Sequence, residues 1–172
     1  MTDPDALIVE PLAKRHDRAA FPCGLRELDR YLARQAGQDV RRRIARVFVC
    51  TAGDAYAVLG VDTLSALSID LASLPAKISS TFPRHPVRCA LIGRLAVDSA
   101  MHGRGLGRML LADAVKRTMA AGETVAMHAL IVDAASNDAK RFHERFGFAP
   151  LTDEPMRLFL PLGHAAFQGP KG

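Results

Sequence analysis

The chain has 172 residues and a mass of 18.6 kDa, the size of one ordinary domain, and its 49% hydrophobic and 24% charged residues exclude a disordered polypeptide. No run approaches 18 consecutive apolar residues, the acidic start Met1-Thr2-Asp3-Pro4-Asp5 argues against a secretory leader, and three scattered cysteines (Cys23, Cys50, Cys89) form neither a disulfide framework nor a zinc pattern, so a reducing cytoplasm, no membrane and no metal are expected. The formal charge is +5, and only five of the 23 cationic residues are lysine; an arginine excess suits bidentate recognition of phosphate or carboxylate, although a codon bias toward arginine explains it equally well.

Residues 7–12 read as a first strand. Leu25, Leu28, Leu32, Ala36 and Val40 recur at helical spacing, with Arg26, Arg30 and Arg34 four apart beside them and Arg41, Arg42, Arg43 and Arg46 following. Residues 47–51 and 56–69 read as strands around the Gly53-Asp54 turn, and a Pro- and Ser-containing loop occupies 74–86. A mostly apolar strand covers 87–98, broken at Gly93-Arg94. Residues 105–121 form a helix with Gly122 as its C-cap. Residues 125–132 read as a strand covered on both faces, with His128 as an interior histidine, and 136–146 as a short helix ended by Gly147. A last strand covers 156–162. The pattern predicts a mixed α/β domain over residues 1–162, its sheet flanked by helices, and a flexible tail over 163–172.

The most informative stretch is Val97-Asp98, then His102-Gly103-Arg104-Gly105-Leu106-Gly107-Arg108, where a strand turns through three alternate glycines into an amphipathic helix. Such a corner is an anion site: the N–H groups of the first helical turn converge, the helix dipole favours negative charge, and absent Cβ atoms admit a pyrophosphate. A P-loop is excluded because no Gly-x-x-x-x-Gly-Lys-Ser/Thr segment exists, and a dinucleotide fingerprint fails because Arg108 stands where its third glycine belongs.

This stretch resembles the acetyl-coenzyme A motif of the GNAT acetyltransferase superfamily. Phe21-x-Cys23-Gly24, Leu28-Asp29-x-Tyr31-Leu32, Thr63-Leu64-Ser65, Gly93-Arg94-Leu95-Ala96-Val97-Asp98, and Ala139-x-x-Phe142 before Gly147-Phe148 follow in an order similar to the GNAT toxins of bacterial toxin–antitoxin pairs. The resemblance implies a GNAT fold: a mostly antiparallel mixed sheet flanked by helices, with a splayed central strand pair. It also implies transfer of acetyl from acetyl-CoA to the α-amine of aminoacyl-tRNA, and a ribbon-helix-helix antitoxin as partner; a homodimer is common in the group. An ordinary acetyltransferase for a small amine or a protein N-terminus, and a non-catalytic module binding cofactor or antitoxin, stay open.

By the same resemblance, Leu95, Ala96 and Val97 meet the pantetheine arm, the Val97 backbone N–H polarises the acetyl carbonyl, Gly103, Arg104, Gly105, Leu106, Gly107 and Arg108 hold the pyrophosphate, and Phe142 borders the cofactor. His102 stands where the family has Gln or Arg and is expected to contact the cofactor by donating a hydrogen bond, an exposed turn residue being the alternative. His143 stands where these toxins carry a tyrosine that protonates the departing thiolate; a working histidine acid, a slow enzyme relying on positioning and water, or a protein without transfer activity all remain open. Arg26, Arg30, Arg34, Arg41, Arg42, Arg43 and Arg46 form the expected tRNA footprint, with Arg94, Lys140 and Arg141 nearer the reacting end.

Overall fold

A computed structural model describes residues 6–53, 55–80 and 84–163, so all of the expected tail except Gly163 lies outside the described residues. The elements in order are β1 (Leu7–Pro11), α1 (Arg26–Arg34), α2 (Ala36–Arg41), β2 (Arg46–Ala52), β3 (Gly60–Ile69), α3 (Ala76–Ser79), β4 (Val87–Val97), α4 (Leu106–Gly122), β5 (Ala129–Asp133), α5 (Asn137–Arg145), β6 (Ala149–Pro150) and β7 (Arg157–Pro161). The seven strands lie in the order β1-β2-β3-β4-β5-β7-β6. The β1–β2, β2–β3, β5–β7 and β6–β7 pairs are antiparallel, and β4–β5 is parallel. The mixed sheet expected from the sequence is therefore the one observed. On its β5 side the β4 ladder ends at Ile92–Val132, one residue before β5 ends at Asp133, whereas β4 itself runs on to Val97.

The chain divides into two compact units. The first comprises Met1–Ser65 with Arg94–Ala114. One of its cores packs α1 and α2 through Tyr31, Leu32 and Ala36 onto Val47, Val49, Val61 and Ala96, while Cys50, Met101, Leu106 and Leu110 form another with Leu95 and Val97 at its margin. Alternation along β4 explains the division, since Ala96 turns to one cluster and Leu95 and Val97 to the other. The second unit comprises Ala66–Gly93 with Val115–Gly172, and its core is built on Val87, Cys89, Ala129, Ile131 and Phe159.

Several local expectations change. The single helix read over 25–40 is two, separated at Gln35, whose ψ is helical but whose φ of −118° is not. The second strand of the first hairpin begins at Gly60 and not at Tyr56, which is 65% exposed. β4 is not broken at Gly93-Arg94; instead the Arg94 N–H is diverted to the Thr63 hydroxyl oxygen at 3.0 Å. β5 starts at Ala129 because Val125 is exposed, and His128 is a half-buried residue at the strand's edge whose N–H donates to the Arg88 carbonyl. Cys50 and Cys89 are buried, and burial pushes both thiols up to about 11, so they act as small hydrophobes.

Candidate active site

The glycine corner begins where β4 stops. The Asp98 N–H donates to the Leu59 carbonyl at 2.9 Å, and its carboxylate accepts from the Ala100 N–H at 2.8 Å, capping a single 3₁₀ turn over Ser99–Met101. The N–H and hydroxyl of Ser99 both donate to the Pro22 carbonyl, at 2.7 and 2.8 Å, which ties this turn to the loop before α1. Gly103 and Gly105 then adopt φ of +76° and +82°, the left-handed region that only glycine enters without strain. A Cβ at either position would meet nothing within 4 Å, so the space beside this backbone is open.

α4 starts at once, anchored by the buried Leu106, Leu110 and Leu111, and its first turn carries no acidic residue to offset the positive end of the dipole. Arg104 and Arg108 are exposed beside it. Open left-handed glycines, an uncompensated helix start and two exposed guanidiniums fit a pyrophosphate, so the residues present suit acetyl-CoA.

His102 is arranged differently from expectation. Its Nε2 lies 2.9 Å from the Val97 carbonyl, and since a carbonyl only accepts, Nε2 carries the proton. The ring thus braces the end of β4 against the glycine turn, and that nitrogen is not available to a phosphate. It is the carbonyl of Val97 that is held in this way, leaving the direction of its N–H to the strand.

α5 carries the other expected catalytic group. Its N-cap is Ser136, whose hydroxyl oxygen accepts from the Ala139 N–H at 3.1 Å. At its C-terminal end Gly147 has φ of +94°, which turns the chain back so that the Phe148 N–H reaches the His143 carbonyl at 3.3 Å. The consequence is an aromatic enclosure. The His143 ring meets Phe142 edge-on at 5.1 Å and Phe148 at 5.6 Å, and the residue is only 3% exposed.

Its Nδ1 is buried without a hydrogen-bond partner, and burial pushes its pKa down to about 4. At neutral pH roughly one ring in a thousand is then protonated. The resting ring is therefore neutral, because the turn at Gly147 folds Phe148 against it. Phe142 is half-buried on the same helix, in ring contact with both His143 and Phe146.

Arg26, Arg30, Arg34, Arg41, Arg42, Arg43 and Arg46 are all exposed, and none is ion-paired with a carboxylate among the described residues. Lys140 and Arg141, in contrast, pair with Glu144 at 3.9 Å and with Asp138, so part of their charge is locally compensated. Arg94 is half-buried with its guanidinium carbon 3.7 Å from the centroid of the Tyr31 ring. Sequence reasoning missed Tyr31 and Thr63 as neighbours of Arg94, since both contacts join residues far apart in the chain. Among the described residues no group of three His, Cys, Asp or Glu could hold a metal ion.

The acetyltransferase (GNAT) family profile matches residues 75–148. The chain is 32% identical over 164 residues to probable toxin TacT of Sinorhizobium fredii, covering 90% of this chain and 91% of that one. It is 34% identical over 145 residues to a tRNA-acetylating toxin of Mycobacterium tuberculosis, covering 84% and 85%. Among solved structures, AtaT complexed with acetyl-methionyl-tRNAfMet superposes with a TM-score of 0.85 at 29% identity, over 90% of this chain and 94% of that one. A tyrosine-to-phenylalanine mutant of AtaT, bound to the C-terminus of the antitoxin AtaR and to acetyl-CoA, superposes with a TM-score of 0.77 at 28% identity, over 90% and 92%. With identity above 30% to TacT along nine-tenths of both chains, the protein belongs to the GNAT acetyltransferase family and groups there with the toxins of the TacT and AtaT kind.

Proposed function

We propose that this protein is an acetyl-CoA-dependent N-acetyltransferase that acetylates the α-amino group of aminoacyl-tRNA and so blocks translation, and that a cognate antitoxin restrains it. The observation that carries the reading is the row of exposed arginines without carboxylate partners, in a chain that aligns over nine-tenths of its length with a toxin complexed with acetyl-methionyl-tRNA. A small-molecule acetyltransferase has no use for such a row, whereas each phosphate contact on a nucleic acid releases a counterion and strengthens binding. Charged tRNA and acetyl-CoA meet in the cytoplasm, which is where the protein acts on this reading.

Acetyl-CoA, when bound, supplies the acetyl group as a thioester. The open backbone from Gly103 to Arg108 would hold its pyrophosphate, and Leu95, Ala96 and Val97 would meet the pantetheine arm. The Val97 N–H would donate to the acetyl carbonyl oxygen, where negative charge develops during transfer. The substrate amine, in its neutral form, attacks the carbonyl carbon; the C–N bond forms, the C–S bond breaks, and one proton passes overall from nitrogen to sulfur. His143, on α5, is a neutral ring, weaker as an acid than an imidazolium. Positioning of the neutral amine against the thioester carbonyl supplies acceleration that does not depend on a charged acid.

The decisive experiment follows labelled acetyl from acetyl-CoA onto a pool of charged tRNAs with the purified protein. Label on aminoacyl-tRNA and none on uncharged tRNA is the expected result. Acetyl-CoA binding without transfer to any charged tRNA would refute the reading. It would favour a second one, a binding module without turnover, to which the buried neutral His143 already lends support.

A further inference from the structure

Arg94 does not stand alone. Its guanidinium lies over the face of Tyr31, a residue 4% exposed, and the Tyr31 hydroxyl donates to the buried Asp39 carboxylate at 2.9 Å. The break at Gln35 allows this contact, because a continuous helix would not let residue 39 fold back beside residue 31. At the other side the Arg94 main chain is pinned by its N–H bond to Thr63. Burial and the Asp39 carboxylate push the phenol far above its usual range, so it keeps its proton and remains a donor, not an acid.

This arrangement has two consequences. Donation into a carboxylate enriches the ring's electron density and strengthens its hold on a cation. Stacking occupies only the face of the guanidinium and leaves its in-plane N–H donors unspent, and no carboxylate among the described residues is ion-paired with them. An arginine built for the fold alone would be expected to place those donors on a carboxylate or a carbonyl. Here a long side chain is ordered in advance while its hydrogen-bonding edge is kept for something else, and a planar fork of donors is matched by a phosphate.

We propose that Tyr31, held by Asp39, is a positioning residue that presents Arg94 to a phosphate of the aminoacyl-tRNA substrate. The proposal rests on the tRNA reading above and names two residues that the glycine motif does not include. Its test uses the full-length protein with acetyl-CoA and charged tRNA, comparing wild type with Arg94→Ala, Tyr31→Leu, Tyr31→Phe and the Arg94→Ala/Tyr31→Leu double variant. Steady-state rates, tRNA affinity by fluorescence anisotropy and acetyl-CoA affinity by calorimetry are measured for each.

Tyr31→Leu is expected to raise KM for charged tRNA about 3-fold or more, with kcat and acetyl-CoA affinity unchanged. In Arg94→Ala the slope of log affinity against log salt should fall by about 0.7–0.9, the signature of one lost phosphate contact, and in Tyr31→Leu by no more than that. The double variant should bind tRNA no worse than Arg94→Ala. Equal effects that simply add, or an unchanged KM in Tyr31→Leu, would overturn the positioning role. If Tyr31→Leu does not fold, Tyr31→Phe decides: it keeps the ring and loses the Asp39 tether, and unaltered tRNA affinity would overturn the proposal. Failure of Arg94→Ala to weaken tRNA binding, in a wild-type protein that does acetylate charged tRNA, removes this proposal alone. Absence of transfer by wild type removes the functional reading instead, and the anisotropy series then still decides whether Tyr31 orders Arg94 for RNA.

Discussion

A neutral, enclosed His143 makes the fold itself sensitive to acid. Unfolding exposes the ring and returns its pKa from about 4 to the ordinary value near 6.5, so between those limits the unfolded chain binds more protons than the folded one. The sign follows: stability is fully present above pH 6.5 and is lost as pH falls through 6.5 toward 4. From the two pKa values the loss is about 2 kcal/mol at pH 5 and about 3 kcal/mol once both are passed. Urea unfolding at pH 7 and pH 5 measures it, with His143→Tyr as the reference that cannot charge in this range. His16, also lowered by burial, titrates in the same direction, but it is present in both proteins and cancels in the difference. Wild type should lose about 2 kcal/mol more than His143→Tyr between the two pH values. Equal losses, or a His143 ring that titrates near 6.5 by NMR, would refute the argument that Phe142 and Phe148 exclude water from it.

Gly105→Ala should fold with a penalty of about 1 kcal/mol from its left-handed φ and no clash, whereas Gly105→Glu should abolish acetyl-CoA binding by calorimetry; unchanged binding by the Glu variant would place the pyrophosphate elsewhere. Replacing Arg26, Arg30 and Arg34 together by Gln should weaken charged-tRNA binding and flatten its salt dependence while leaving acetyl-CoA affinity unaltered, as read by anisotropy at several salt concentrations. Ser136→Ala should cost about 1 kcal/mol in urea unfolding through loss of the α5 cap, and retained stability would mean that the bond to the Ala139 N–H adds little. If residues 1–162 behave as one domain, calorimetry should show a single transition whose van't Hoff and calorimetric enthalpies agree; two transitions would show two independent units.

The features legible in the sequence are those that short-range physics controls. Strand, glycine turn and helix at Val97–Arg108 are written in consecutive residues, because left-handed φ values admit glycine and little else, and the apolar spacing of Leu106, Leu110 and Leu111 requires a helix directly after. The arginine row at four-residue spacing is legible for the same reason, and so is the return of the chain at Gly147. The strand ends differ at Tyr56 and Val125 because apolar residues there look like strand, although both are 65% exposed.

What only the tertiary structure decided are the properties that depend on neighbours brought from elsewhere. A histidine's letters do not state its charge; Phe148 folding back over position 143 removes the water that would solvate an imidazolium, and the ring becomes neutral. His102 is directed at the Val97 carbonyl by the shape of the turn between them. Tyr31 lies 63 positions from Arg94 in the chain, and no local pattern joins them. Their stack exists because packing of α1 and α2 on the sheet sets a phenol, a carboxylate and a guanidinium in one place, and burial makes each contact count for more than it would in water.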